Sequence, residues 1–259
     1  MTQNDRRKFL ITYLLSENEA YKKMNIPIDE GEQKSLLRAL LNVRMPAPVS
    51  DEFLQVQDEY LKEEIAKKGI TDYKTLAPVD DGIYLWQGDI TTLKCDAIVN
   101  AANKKMLGCF CPNHKCIDNA IHTFSGVQLR LKCNEIMTAQ GCDEKTGGAK
   151  ITPAYNLPSK YVIHTVGPIV YGRLTKNDCD LLKSSYRSCL ELADSYNLNS
   201  IAFCCISTGE FCFPNGKAAE TAVNAVKEFK AESGSKIEVI FNVFKDKDRE
   251  IYENIFKKH

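Results

Sequence analysis

Three cysteines and a histidine fall within eight residues, in the run Gly108-Cys109-Phe110-Cys111-Pro112-Asn113-His114-Lys115-Cys116. Thiolate sulfur and imidazole nitrogen are preferred zinc ligands, and a catalytic zinc keeps one of its four positions open. Cys109, His114 and Cys116 offer three ligands from one loop, leaving the fourth to water or substrate. Cys111 could replace Cys109, or close the site as a fourth ligand. No second CxxC or HxxxH pair occurs elsewhere, which argues against a structural zinc module. Just downstream, Asp118 and His122 are four apart, so a helix beginning near Cys116 presents both on one face. A carboxylate there can do acid/base work or position water. The structural alternative is a first-turn acid favoured by the helix dipole.

A second segment, Ser207-Thr208-Gly209-Glu210-Phe211-Cys212-Phe213-Pro214, joins an apolar run to a helical pattern. Small residues at such a junction let backbone N–H groups approach an anion, helped by the helix N-terminus that follows. It is neither a Walker A sequence nor GxGxxG, and Glu210 is awkward in an anion loop. Gly147-Gly148-Ala149 reads first as a turn.

These groups need a frame, and from about residue 80 the pattern supplies one. Residues 83–86, 97–99, 161–166, 201–206 and 237–243 are apolar runs, the last with two polar interruptions. Such runs indicate strands buried on both faces. Helical patterns at roughly 117–140, 178–197, 216–231 and 246–257 separate them, giving an α/β sandwich of one domain. In such sheets ligands bind at the carboxyl ends of the strands. Gly88-Asp89-Ile90-Thr91, Asn100-Ala101-Ala102-Asn103 and Ser207–Phe211 all fall there. Residues 1–75 read as three short helices without a catalytic motif, a structural extension packed on the 76–259 domain. Leu36, Leu37, Leu40 and Leu41 form its apolar stripe, Ser50 is a candidate N-cap, and Gly69 ends the last helix.

Composition narrows the function classes. The chain has 259 residues, with 34 Lys+Arg against 34 Asp+Glu, and a formal net charge of zero. It carries neither a basic nucleic-acid arm nor an acidic tail. The opening Phe9–Leu15 run is interrupted by Thr12 and lacks a small-residue cleavage site, so it reads as a helix, not a signal peptide. No run approaches the roughly 18 apolar residues of a membrane span. Eleven cysteines fall short of disulfide-scaffold density. They are expected to be thiols in a reducing, cytoplasmic setting.

In order along the chain, Gly88-Asp89-Ile90-Thr91, Asp96–Asn103, Ile117–His122, Gly147–Thr152, Val162–Pro168 and Ile206–Phe211 resemble the macrodomain family, which binds ADP-ribose. The resemblance covers about 80–259. One segment departs from it: the glycine run that many members carry before the Val-Asp matched by Ile117-Asp118 is replaced here by Gly108–Cys116. This is similar to the zinc-dependent macrodomain class, often linked to sirtuin-type ADP-ribosyltransferases, which carries an N-terminal helical extension. The resemblance implies a three-layer α/β/α fold with a mixed central sheet, and Zn2+ on Cys109, His114 and Cys116. It implies hydrolysis of mono-ADP-ribose from modified protein side chains at C1″, an Asp or Glu ester being expected. By the same matching, Asp89, Ile90, Asn100, Asn103 and Ser207, Thr208, Gly209, Glu210 and Phe211 bind ADP-ribose, and Asn103, Asp118 and His122 are catalytic. Cys212 stands where many relatives have glycine. A lipoyl-carrier protein is the implied substrate, with no nucleic acid or membrane partner, and the chain is expected to be a monomer. The alternative is a reader module that binds ADP-ribose without cleavage and uses zinc structurally.

Overall fold

The structure, a computed structural model, describes residues 1–257. Three helices come first: α1 (Gln3–Ser16), α2 (Glu30–Val43) and α3 (Asp51–Lys68). Each begins at a side chain that accepts from a first-turn amide: Thr2 in a capping box with Asp5, Asp29 on Glu32, and Ser50 on Phe53. Gly69, at φ 85°, ends α3 where a side chain would be strained.

The remaining elements alternate. They are β1 (Thr71–Asp72), β2 (Pro78–Asp80), β3 (Ile83–Gln87), β4 (Leu93–Lys94), β5 (Ala97–Ala101), α4 (Ile117–Ser125), α5 (Val127–Gln140), β6 (Ala149–Pro153), β7 (Tyr161–Thr165), α6 (Lys176–Ser195), β8 (Ser200–Phe203), α7 (Asn215–Ser233), β9 (Glu238–Val243) and α8 (Asp246–Phe256). The main sheet runs β2-β3-β9-β8-β5-β7-β6. Its five central strands are parallel, and β2 and β6 close the edges antiparallel. β1 pairs with β4 in a separate two-stranded ladder. Helices α6, α7 and α8 pack together as one layer, and α4 and α5 form the other, with the N-terminal helices outside. The fold is thus the expected α/β/α arrangement with a mixed sheet and a helical extension.

Two cores result. The large one is built from sheet residues such as Ile98, Val99, Val162, Ile201 and Val239, fully buried between the layers. The second joins Leu10, Ile11, Leu14, Leu37, Leu40, Phe53 and Leu61 of the extension. Val127 of α5 belongs to this second cluster, while Ile65 of α3 belongs to the first. The two therefore interlock.

Two expectations are corrected. The 117–140 pattern is two helices, because Gly126 adopts φ 95° and the chain turns there. The 201–206 strand stops at Phe203, so Cys204, Cys205 and Ile206 already belong to the following loop. Its apolar character reflects burial beyond the ladder rather than strand pairing. The four strands β1, β2, β4 and β6 lacked an apolar run of their own; each is short or at a sheet edge.

Candidate active site

The loop between β5 and α4 carries the thiols. Donor atoms of Cys109, His114 and Cys116 all lie within 4.8 Å of one another. The imidazole turns Nδ1 toward the cluster, 3.6 Å from Cys109 Sγ. Two thiols and an imidazole at this spacing are a donor set that fits zinc with one position left open. Cys111 is exposed and lies outside the set. Burial, then the closeness of Cys109 and Asp118, pushes the Cys116 thiol up to about 12. All eleven cysteines are free.

Cys116 is also the N-cap of α4, its sulfur accepting from Asn119 N. The helix therefore starts at a metal-type ligand and delivers Asp118 in its first turn. Asp118 is only 5% exposed. Asn100 Nδ2 donates to its Oδ1 at 2.8 Å, and Asn103 Nδ2 lies 3.5 Å from its Oδ2. Burial pushes this carboxyl up to about 6, against the Asn100 hydrogen bond, which lowers it. It is thus poised near neutrality, as a general base or acid needs.

Asn100 has no exposed surface, and its amide nitrogen is shared between Asp118 and His164 Nδ1, 3.1 Å away. Its place is behind Asp118. Asn103 also donates to Gly108 O at 3.0 Å, and its Oδ1 accepts from Lys105 N, so its side chain braces the loop from within. His122 Nε2 is 3.5 Å from Asp118 Oδ1, but neither ring nitrogen has a hydrogen-bond partner. Burial, then His164 and Arg130, lowers its pKa well below the usual range. His122 is a neutral wall for Asp118, not its ion-pair partner. Gly108 runs against that wall at φ 83°; a Cβ there would sit 2.8 Å from the His122 ring.

At the other end of the strand edge, Asp89 caps the short turn Ile90–Thr92, with Oδ1 accepting from Thr91 N at 3.0 Å. Its Oδ2 is 2.8 Å from Lys68 Nζ of α3. Burial raises the Asp89 pKa, but Lys68 and Thr91 more than offset it, and the carboxyl is held below its ordinary value. Ile90 is buried beneath.

Between these ends lies the 205–214 loop. Ser207 and Cys212 both adopt left-handed backbone, at φ 65° and 55°. Thr208 N, Cys212 N and Phe213 N donate within the loop to Cys205 O, Gly209 O and Ser207 O. Among the described residues, no protein acceptor takes the amides of Ser207, Gly209, Glu210 or Phe211. They are free to hold an anion. The Phe211 carbonyl accepts from Val170 N, fixing the loop to the 166–173 segment. Glu210 resolves its awkwardness by turning aside: Oε1 lies 3.6 Å from His114 Nε2.

Phe244 was not anticipated. It follows β9, which pairs with the strand leading to Asp89, and is 74% exposed. An exposed aromatic one residue beyond a buried strand's carboxyl end was the available signal. A second donor set, His122, Cys133 and His164, is wholly buried. His164 is already engaged there, by Asn100 at Nδ1 and Thr152 Oγ1 at Nε2. A wide cleft lined by Pro78, Tyr84, Lys230 and Glu238 opens at the amino ends of β3 and β9, away from all these groups.

Known proteins resemble the chain in sequence and in fold. The Macro domain model matches residues 99–222. A "Protein-ADP-ribose hydrolase" of Treponema medium is 58% identical over 98% of this chain and 99% of its own. One of the same name from Staphylococcus aureus is 50% identical over 98% of this chain and 96% of its own. A Trypanosoma brucei macrodomain solved in complex with ADP-ribose superposes with a TM-score of 0.65 at 30% identity, covering 84% of this chain and 94% of that one. With relatives named as hydrolases matched over nearly their whole length and a macrodomain structure matched in fold, the chain belongs to the Macro domain family, and it is a hydrolase.

Proposed function

We propose that this chain is a zinc-dependent hydrolase that removes mono-ADP-ribose from modified protein side chains, with Asp and Glu esters as its substrates. The observation that carries the reading is Asp118: a buried carboxyl held 2.8 Å from Asn100 Nδ2, two residues from Cys116 of the thiol–imidazole set. A module that only bound the nucleotide would have no use for a carboxyl poised in this way.

The residues divide the ligand among them. Phe244 offers a ring face to adenine, and Asp89 an acceptor to its amino group. The amides of Ser207, Gly209, Glu210 and Phe211 suit the diphosphate, with the α7 N-terminus following. Asn103 holds the Gly108 loop in place beside the distal ribose. Asp118, ionised, takes the proton of the attacking water as the C1″–oxygen bond opens and the side-chain carboxylate leaves. Zinc held by Cys109, His114 and Cys116 would supply Lewis acidity to a ribose hydroxyl or a water.

The partners in this reading are an ADP-ribosylated lipoyl-carrier protein and a sirtuin-type transferase that modifies it, in the cytoplasm, with the chain acting as a monomer. Zero net charge supports the absence of a nucleic-acid role, and no helix among the described residues is long and apolar enough to cross a membrane. The test is release of ADP-ribose from an ester-modified carrier protein by wild type and Asp118→Ala, with metal content measured on both. Release by wild type alone supports the reading. Binding without release by wild type replaces it with a reader module, and full turnover by verified metal-free protein removes the zinc dependence.

A further inference from the structure

The N-terminal extension has its own core, and Leu37, Leu40 and Leu41 of α2 account for its attachment there. Three other residues of α2 do something else. Ser35, Arg38 and Asn42 stand at i, i+3 and i+7, a single helix face, and all three reach the turn that carries His114.

Arg38 Nη2 donates to the His114 carbonyl at 3.0 Å. The same guanidinium grips Asn119 Oδ1 through Nε at 3.1 Å and Nη2 at 2.8 Å. Asn119 in turn donates from Nδ2 to the Cys111 carbonyl at 3.0 Å. One fork and one amide therefore hold both ends of the 111–114 turn. Asn42 Oδ1 accepts from Asn113 N at 3.0 Å, and Ser35 Oγ accepts from Asn113 Nδ2 at 3.0 Å. Asn113 is in left-handed backbone, φ 55°, a conformation asparagine adopts more readily than most residues. The turn's own contribution is a single backbone bond, His114 N to Cys111 O at 3.3 Å. At the loop's other end, Arg130 of α5 donates to Leu107 O and also to Leu41 O and Arg44 O, tying the close of α2 to the start of the loop.

A half-buried arginine spent on a carbonyl and a neutral amide forgoes an ion pair and loses side-chain freedom. Packing of the extension does not require it. Preorganising a ligand-bearing turn does, because outer contacts orient metal ligands and their loss weakens metal binding.

We infer that α2 is part of the metal centre: Ser35, Arg38 and Asn42 are positioning residues that hold the His114 turn in register with Cys109 and Cys116. This rests on the zinc reading above. Glu210 completes the setting from the opposite side, facing the His114 Nε2 that the thiol cluster leaves outward.

The experiment uses the full chain and zinc itself. Wild type, Arg38→Ala and Asn42→Ala are compared with Gln57→Ala, which removes a different tie between extension and domain: Gln57 accepts from Val127 N and donates to Gln128. Zinc affinity is measured by competition with a chromogenic chelator, and thermal unfolding on the metal-free proteins. The expected result is a 10–100-fold loss of zinc affinity in Arg38→Ala and Asn42→Ala. Gln57→Ala should unfold at lower temperature yet bind zinc as wild type does. Wild-type affinity in both α2 variants overturns the inference and leaves the zinc reading standing. Equal loss in Gln57→Ala also overturns it, since general stability would then explain the effect. A wild type that takes up no zinc overturns both. Should Arg38→Ala or Asn42→Ala fail to fold, Ser35→Ala, at an exposed position, decides: weaker zinc binding supports the inference and wild-type affinity overturns it.

Discussion

Asn100 reaches two groups with one amide nitrogen: Asp118 Oδ1 at 2.8 Å and His164 Nδ1 at 3.1 Å. His164 must therefore accept at Nδ1, and its proton sits on Nε2, toward Thr152. The carboxyl at the heart of the site is aimed by a neutral chain of buried groups rather than by a counter-charge. Asn100→Ala removes the donor and leaves Asp118 buried without its closest partner. Turnover should fall by about 10²–10⁴-fold for Asp118→Asn and by a smaller factor for Asn100→Ala, with ADP-ribose affinity changed only a few-fold in each. Steady-state kinetics alongside calorimetric binding check this; a matching loss of affinity would mean that both residues serve binding alone.

The same chain makes a stability prediction. Burial lowers the pKa of His164 from 6.5 to about 4. The unfolded chain takes up the proton first as pH falls, so the stability owed to the neutral ring is complete above about 6.5 and lost toward pH 4. Between pH 7 and 4.5 this amounts to about 2 kcal/mol at 1.36 kcal/mol per unit. Urea unfolding at both pH values should show wild type losing about that much more than His164→Gln. Parallel losses would show that the ring is protonated in the folded state or is not the source of the acid lability.

Metal content separates the four loop ligand candidates. Cys111 is exposed and outside the donor set, whereas Cys109 and Cys116 flank His114. Elemental analysis should find about one zinc per chain in wild type and Cys111→Ser, and little in Cys109→Ser or Cys116→Ser. Zinc lost from Cys111→Ser would make the site a closed four-ligand centre with no position for chemistry.

Lys68 and Asp89 are a partly exposed pair, a kind worth up to about 1 kcal/mol. Lys68→Met should therefore barely alter the melting temperature. By freeing Asp89 Oδ2 it should tighten ADP-ribose binding by up to about fivefold, while Asp89→Ala weakens it about tenfold or more. Isothermal titration gives both numbers. Weaker binding by Lys68→Met would assign the lysine itself to the nucleotide.

Much of this was legible in the residues. Apolar runs placed the strands, and the rule that ligands gather at carboxyl ends led to Asp89, Asn103 and the 207–211 loop. The clustering of Cys109, His114 and Cys116 could be read because they come from eight consecutive positions. Legibility failed where partners are distant. Asn100 looks like a strand-end ligand, yet its register opposite His164 on β7 turns it inward. Glu210 looks misplaced until His114 is brought to it across the site. Phe244 carries no motif, and only the neighbouring order of β3 and β9 brings its exposed ring to the edge where Asp89 sits. Ser35, Arg38 and Asn42 form an ordinary polar helix face until the fold shows what they touch.

Arg38 and the carbonyl it holds are 76 positions apart. The order of synthesis makes use of that separation, because α2 leaves the ribosome before the turn it supports. The segment 109–116 thus emerges after the residues that hold it, and on the zinc reading the entropy of closing the long intervening loop is charged to folding of the whole chain rather than to ion capture. On that reading, loading with metal then follows the meeting of α2 and the 109–116 segment.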